Sequence, residues 1–105
     1  MDIQERVQIS ILTKYYGALL TERQQDILKM YVDNNLSLAE VSEELNISRQ
    51  AVKDSVDKAI EILKDTENKL KFLERDDKLK QIIENKDLSQ IDMATKLELI
   101  NYLED

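Results

Sequence analysis

The amino-acid sequence predicts an all-α fold, and three observations carry that prediction. Proline is absent and glycine occurs once, so a strand-rich fold would lack the residues that set its tight turns. Leu, Glu, Lys, Gln, Ile and Asp dominate the composition, and most of them favour helix. Apolar residues recur at spacings of three and four along much of the chain. With 105 residues, 42% of them apolar, the chain builds one small core, and chains of this size bury a smaller share of their surface than larger ones.

The first helix is expected from Ile3 to about Leu20. Ile3, Val7, Ile11, Tyr15 and Leu19 recur every four residues, with Leu12 and Tyr16 beside them, and they form its apolar side. Gly17 offers a place for it to stop. Thr21-Glu22-Arg23-Gln24 is a capping box: the Thr21 hydroxyl accepts from the backbone N–H of Gln24, whose side chain reaches back. The second helix then places Ile27, Leu28, Tyr31 and Val32 on its apolar stripe. It ends at Asp33-Asn34-Asn35, where asparagine tolerates the left-handed conformation.

Ser37-Leu38-Ala39-Glu40 is a second capping box and opens a short third helix to Leu45. Asn46-Ile47 interrupts the pattern and Ser48 caps a long fourth helix. That helix is expected to run unbroken from Arg49 to about Glu74, roughly 39 Å at about 1.5 Å per residue. Val52, Val56, Ala59, Ile60, Leu63, Leu70 and Leu73 mark its apolar side, which thins at Thr66 and Glu67. Beyond Arg75 a short helix is expected over Asp76 to Glu84. Ser89 caps a last one carrying Ile91, Met93, Leu97, Ile100 and Leu103. The organisation expected is a helix-turn-helix domain over 1–63, with its motif at 37–58, and a helical continuation and extension over 64–105.

Several function classes lose their usual residues. Cysteine and histidine are both absent, which removes disulfides, thiolate metal sites, the commonest general base and the commonest zinc ligand. Glu43-Glu44 and Asp76-Asp77 are paired carboxylates, but neighbours on a helix point in different directions and no nucleophile accompanies them. No enzyme, cofactor or metal is expected. The apolar runs are too short to span a membrane, and Met1-Asp2-Ile3-Gln4-Glu5 does not read as a signal peptide, so the expectation is a cytoplasmic protein. Net charge is −7, spread as −1 over residues 1–36, −2 over 37–64 and −4 over 65–105. No segment is basic, which argues against tight, autonomous nucleic-acid binding.

The most informative stretch is the pair of helices separated by Asn46, Ile47 and Ser48. A three-residue turn of this kind suits a helix-turn-helix, with Leu38, Val41, Leu45, Ile47, Val52 and Val56 pinning the helices together. Arg49, Gln50, Lys53 and Asp54 then stand on the exposed opening turns of the second helix. In DNA-binding versions those turns enter the major groove, where Arg and Lys read guanine and Gln reads adenine. The candidate nucleic-acid contacts are Arg49, Gln50 and Lys53. Asp54, Asp57, Glu40, Glu43 and Glu44 crowd the same unit with negative charge.

Leu20-Thr21-Glu22-Arg23-Gln24, then Ser37-Leu38-Ala39-Glu40-Val41, then Ile47-Ser48-Arg49-Gln50-Ala51-Val52-Lys53 resemble the promoter-reading C-terminal domain of bacterial sigma factors. More closely, residues 1–73 resemble the YlxM family of small sigma-like helix-turn-helix proteins, with the Ser-Arg-Gln-Ala-Val run as the most specific part. That family is encoded beside the GTPase of the signal recognition particle. The resemblance implies an accessory or regulatory role in that targeting pathway, through contact with its RNA, its GTPase, or both. Carried over position by position, the sigma-type contacts fall on Arg49, Gln50 and Lys53. Asp54 departs from the sigma pattern, which has an uncharged amide there, and Lys53 stands where YlxM relatives often have an aromatic residue.

Two further readings stand beside this one: a transcription regulator using the same helix on promoter DNA, and a docking module that binds protein only. The aromatics Tyr15, Tyr16, Tyr31 and Phe72 sit at core spacing, so burial with a satisfied hydroxyl is expected rather than a stacking platform for bases. A fourth helix this long outruns a domain of this size. Its far half, with Leu63, Leu70 and Leu73, is expected to pair with a second subunit in a homodimer.

Overall fold

The computed structural model describes residues 1–84 and position 101. The described residues contain α-helices and no strand. The first four helices form one compact unit, Met1–Leu70, and a second unit begins at Lys71. The helix expected after Ser89 lies outside the described residues.

α1 (Ile3–Tyr16) is capped by Asp2, whose carboxylate accepts from the Glu5 N–H at 2.7 Å. It closes through a single 3-10 turn, Gly17–Leu19. Gly17 holds an ordinary right-handed conformation there, so its smallness matters rather than its freedom: a Cβ would sit 3.2 Å from Cγ2 of Thr13. α2 (Glu22–Leu28) begins at the capping box of Thr21, with both reciprocal hydrogen bonds made. It runs on into one π-helical turn, Lys29–Asp33, which ends where Asn35 turns left-handed at φ 57°.

α3 (Leu38–Leu45) opens on the Ser37–Glu40 capping box and stops at Asn46, left-handed at φ 56°. The N–H of Ile47 reaches back to the Ser42 carbonyl at 3.1 Å, and the Ser42 hydroxyl donates to the Ile47 carbonyl at 2.6 Å. α4 (Arg49–Leu70) follows, 22 residues and about 33 Å long. Within this unit α1, α2 and α3 all pack against α4. Val52, Val56, Ala59 and Leu63 supply its buried stripe, at steps of three and four. Ile9, Leu12, Tyr16, Leu20, Ile27, Leu28, Val32 and Val41 complete the core.

The face that α1 buries differs from the one its four-residue spacing marks. Ile9, Leu12 and Tyr16 are inside, followed by Leu20 beyond the helix end. Ile3, Val7 and Leu19 are 79%, 53% and 62% exposed, and Tyr15 is exposed as well. α1 carries apolar residues around most of its circumference, so periodicity does not choose its inner side. Polar clasps do. Arg6 donates from Nη1 to the Tyr31 carbonyl at 2.9 Å and to Val32 at 3.4 Å, carbonyls of the π-helical turn, and its guanidinium lies over the Tyr31 ring. The Ser10 hydroxyl donates to Asp33, and the buried Tyr16 hydroxyl donates to Glu67 of α4 at 2.6 Å. These groups reach their partners only with Ile9 and Leu12 turned inward.

The fourth helix is shorter than its spacing suggests. It stops at Leu70 because Lys71 adopts φ 57°, a left-handed conformation that breaks the hydrogen-bond ladder. α5 (Phe72–Glu84) therefore starts four residues before the expected Asp76, with the Arg75 N–H bonded to the Lys71 carbonyl at 3.0 Å.

Candidate nucleic-acid interface

Ser48 sets the start of α4. Its Oγ accepts from the Ala51 N–H at 3.0 Å, and its carbonyl accepts from the Val52 N–H at 3.1 Å. That cap fixes the rotation of the helix, and Val52, wholly buried, fixes it again from the core side. Arg49, Gln50, Ala51 and Lys53 are consequently all exposed. The three candidate contacts are thus brought together on the first two turns. Arg49 and Lys53, four residues apart, share one ridge of the helix surface, while Gln50 and Asp54 occupy the next.

The electrostatics of these turns are mixed. The first turns of α1, α2, α3 and α5 contain Glu5, Glu22, Glu40 and Glu74, whereas that of α4 contains no acid. One turn later the acids return. Gln50 donates through Nε2 to Oδ1 of Asp54 at 2.8 Å, and the Lys53 ammonium meets Oδ2 of Asp57 at 3.0 Å. The hydrogen bond to Asp57, reinforced by its charge, raises the Lys53 pKa above its ordinary 10.5. Both partners are more than half exposed, so the pair is one that water and other anions compete for. Spacing of four residues was the signal for both contacts, and it is legible in the sequence.

Nearby surface offers a groove of about 330 Å³ lined by Met1, Glu5, Tyr31, Val56, Asp57 and Ile60, with acids rather than bases on its rim. Among the described residues no group of carboxylates is arranged to hold a metal ion, and no helix is long and apolar enough to cross a membrane.

The other residues singled out by the sequence separate. Leu63, expected at a subunit contact, is 0% exposed inside its own unit and has no surface to offer a second chain. Leu70 is 46% exposed at the end of α4, and Leu73 is half-buried in α5. Of the aromatics, Tyr16 is buried with its hydroxyl satisfied and Tyr31 is half-buried. Tyr15 and Phe72 are exposed, against the expectation of burial.

Residues 3–102 match the family model of UPF0122, the helix-turn-helix proteins described as YlxM / p13 like. The UPF0122 protein of Clostridium novyi is 39% identical over 107 residues, covering 98% of this chain and 92% of that protein. The UPF0122 protein of Clostridium kluyveri is 43% identical over 84 residues, covering 80% and 73%. That of Acetivibrio thermocellus is 39% identical over 92 residues, covering 84% and 77%.

Proposed function

The chain belongs to the YlxM / p13-like family of helix-turn-helix proteins, and on that premise we propose that it is a non-enzymatic regulatory protein that holds nucleic acid on the opening turns of α4. One observation carries the reading. Among the described α-helices, α4 alone opens without an acid, and there Arg49, Gln50 and Lys53 stand together in solvent. A phosphate approaching this end meets a guanidinium, an ammonium one turn on, and the positive end of the helix dipole. Arg49 and Lys53 suit the acceptor edge of guanine, and Gln50 the donor–acceptor edge of adenine.

Asp54 and Asp57 temper this surface. Phosphate must displace Asp57 from Lys53, and the net charge of −7 repels a polyanion at distance. Binding is therefore modest and strongly salt-dependent. The resemblance to YlxM proteins directs the reading to the cytoplasmic signal recognition particle, with this chain as an accessory factor that contacts its RNA, its GTPase, or both, without a cofactor.

A pull-down from cell extract, with and without nuclease, tests this. Recovery of targeting-particle RNA and GTPase by the wild-type chain, and its loss with Arg49→Glu and Lys53→Glu together, is the expected result. Particle components missing from both samples would sink the pathway assignment. Capture of duplex DNA in place of structured RNA would make the protein a promoter-binding regulator. Salt-insensitive capture of protein that survives the charge reversals would make it a docking module.

A further inference from the structure

We propose that the groove beside Lys53 receives one unpaired base, guanine by preference, of the nucleic acid held on α4, so that the chain selects bulged or looped RNA over a continuous duplex. The proposal rests on the nucleic-acid reading of α4. The groove, about 330 Å³, lies within the Met1–Leu70 unit. Met1 and Glu5 line it near the N-terminal end of α1, Tyr31 from the π-helical turn, and Val56, Asp57 and Ile60 from α4. Val56 is buried and Tyr31 and Ile60 are half-buried, whereas Glu5 and Asp57 are exposed. The deeper lining is therefore apolar and aromatic, with carboxylates at the surface.

This groove continues the cationic ridge. Arg49, Lys53 and Asp57 follow one another at steps of four, and Asp57 belongs to both features: it lines the groove and holds the Lys53 ammonium at 3.0 Å. Tyr31 stands close by, since its phenol adds to the rise in the Lys53 pKa that Asp57 chiefly causes. Arg6 keeps that ring in place. It bonds the carbonyls of Tyr31 and Val32, and its guanidinium lies over the ring, 5.8 Å from the centroid.

Opposite charges one turn apart choose the occupant. A basic peptide would suit Glu5 and Asp57 and be repelled by Arg49 and Lys53, and an acidic peptide meets the reverse. A nucleotide carries an anion at one end and a neutral base with N–H donors at the other. Lys53 and Asp57 are about 6 Å apart along the helix, at about 1.5 Å per residue, a step that a nucleotide spans from phosphate to base. Phosphate that takes Lys53 strips Asp57 of its partner, and the freed carboxylate, an acceptor only, then needs donors. Unpaired guanine presents two side by side, N1–H and the N2 amino group, on the edge that base pairing hides. Uracil presents one N–H between two carbonyls that repel a carboxylate. The face of the base packs on the side of Tyr31 that lines the groove.

Fluorescence anisotropy with RNA hairpins that share stem and loop and differ only in one bulged base tests this. The guanine hairpin is expected to bind about tenfold tighter than the uracil one at low salt, with inosine, which lacks the amino group, between them. Asp57→Asn collapses that ratio to near one, whichever way it moves the overall affinity. Tyr31→Leu weakens the guanine hairpin about fivefold without altering the salt dependence, because the contact carries no charge, and Tyr31→Phe, which keeps the ring, restores it. Asp57 is exposed, so its variant reads the groove even if Tyr31→Leu fails to fold. Binding that Arg49→Glu abolishes but that ignores the bulged base, or a guanine preference that survives Asp57→Asn, would overturn the proposal and leave the reading of α4 standing. Absence of hairpin binding, or binding indifferent to Arg49→Glu, would overturn both. A lysine-rich peptide that binds through Glu5 and Asp57, with no effect of the bulged base, would give the groove to a protein partner instead.

Discussion

On the opening turns of α4, Gln50 and Lys53 each have an acid four residues ahead, and the balance between these acids and an incoming phosphate sets what the surface can do. The Lys53 pKa is raised, so the contribution of its contact with Asp57 is fully present below the ordinary lysine value and disappears as pH climbs through the raised one. Lys53 is therefore charged throughout the neutral range. Asp57→Asn should return its pKa toward 10.5, read by NMR titration of the lysine side chain. Asp54→Asn with Asp57→Asn should tighten nucleic-acid binding by about threefold to tenfold at low salt, since two carboxylates no longer face phosphate. Weaker binding by the double variant in a fluorescence titration would mean that these acids orient the contacts rather than oppose them. Residue type and spacing made this part of the site legible, because neighbours four apart on a helix meet whatever the rest of the fold does.

At the scale of the elements, boundaries were legible where side chains write them. Thr21 with Gln24, Ser37 with Glu40, Ser48 and Asn46 all act locally, and each does in the structure what its position in the sequence implies. Ser37→Ala should cost about 1 kcal/mol by urea denaturation, and Thr21→Ala a similar amount. Asn46→Ala should cost about 1 kcal/mol more than Asn46→Gly, because alanine resists the left-handed turn between α3 and α4. Equal stability of the two Asn46 variants would show that this turn relaxes without that backbone conformation. Other boundaries had no local signature. The π-helical turn after α2 is held by Arg6 from α1, a contact across 25 residues. The break at Lys71 occurs at a residue type that favours helix. The inner face of α1 has no local signature either: apolar residues surround most of this helix, and only Ile9, Leu12 and Tyr16 are buried.

At the largest scale, α4 is the spine of the Met1–Leu70 unit, on which three helices pack, and its buried stripe decides whether the opening turns are presented at all. Leu63→Ala should destabilise the chain by about 2–5 kcal/mol, while Leu70→Ala, half exposed, should stay within about 0.5 kcal/mol of wild type. Thermal melts that rank the two the other way would contradict this packing. The all-α class and the helix-turn-helix were legible because composition and helical period act along the entire chain. The end of the spine and the inner side of α1 depend on tertiary choices that no local pattern encodes. NMR mapping of the isotopically labelled chain, titrated at low salt with an RNA hairpin and with a duplex DNA of matched length, tests the central claim most directly. Amide shifts should centre on Ser48 to Asp54, fade as salt rises, and vanish when Arg49 and Lys53 are both changed to glutamate. Shifts that appear on other helices while those amides stay still would place the nucleic-acid contact elsewhere and end the account.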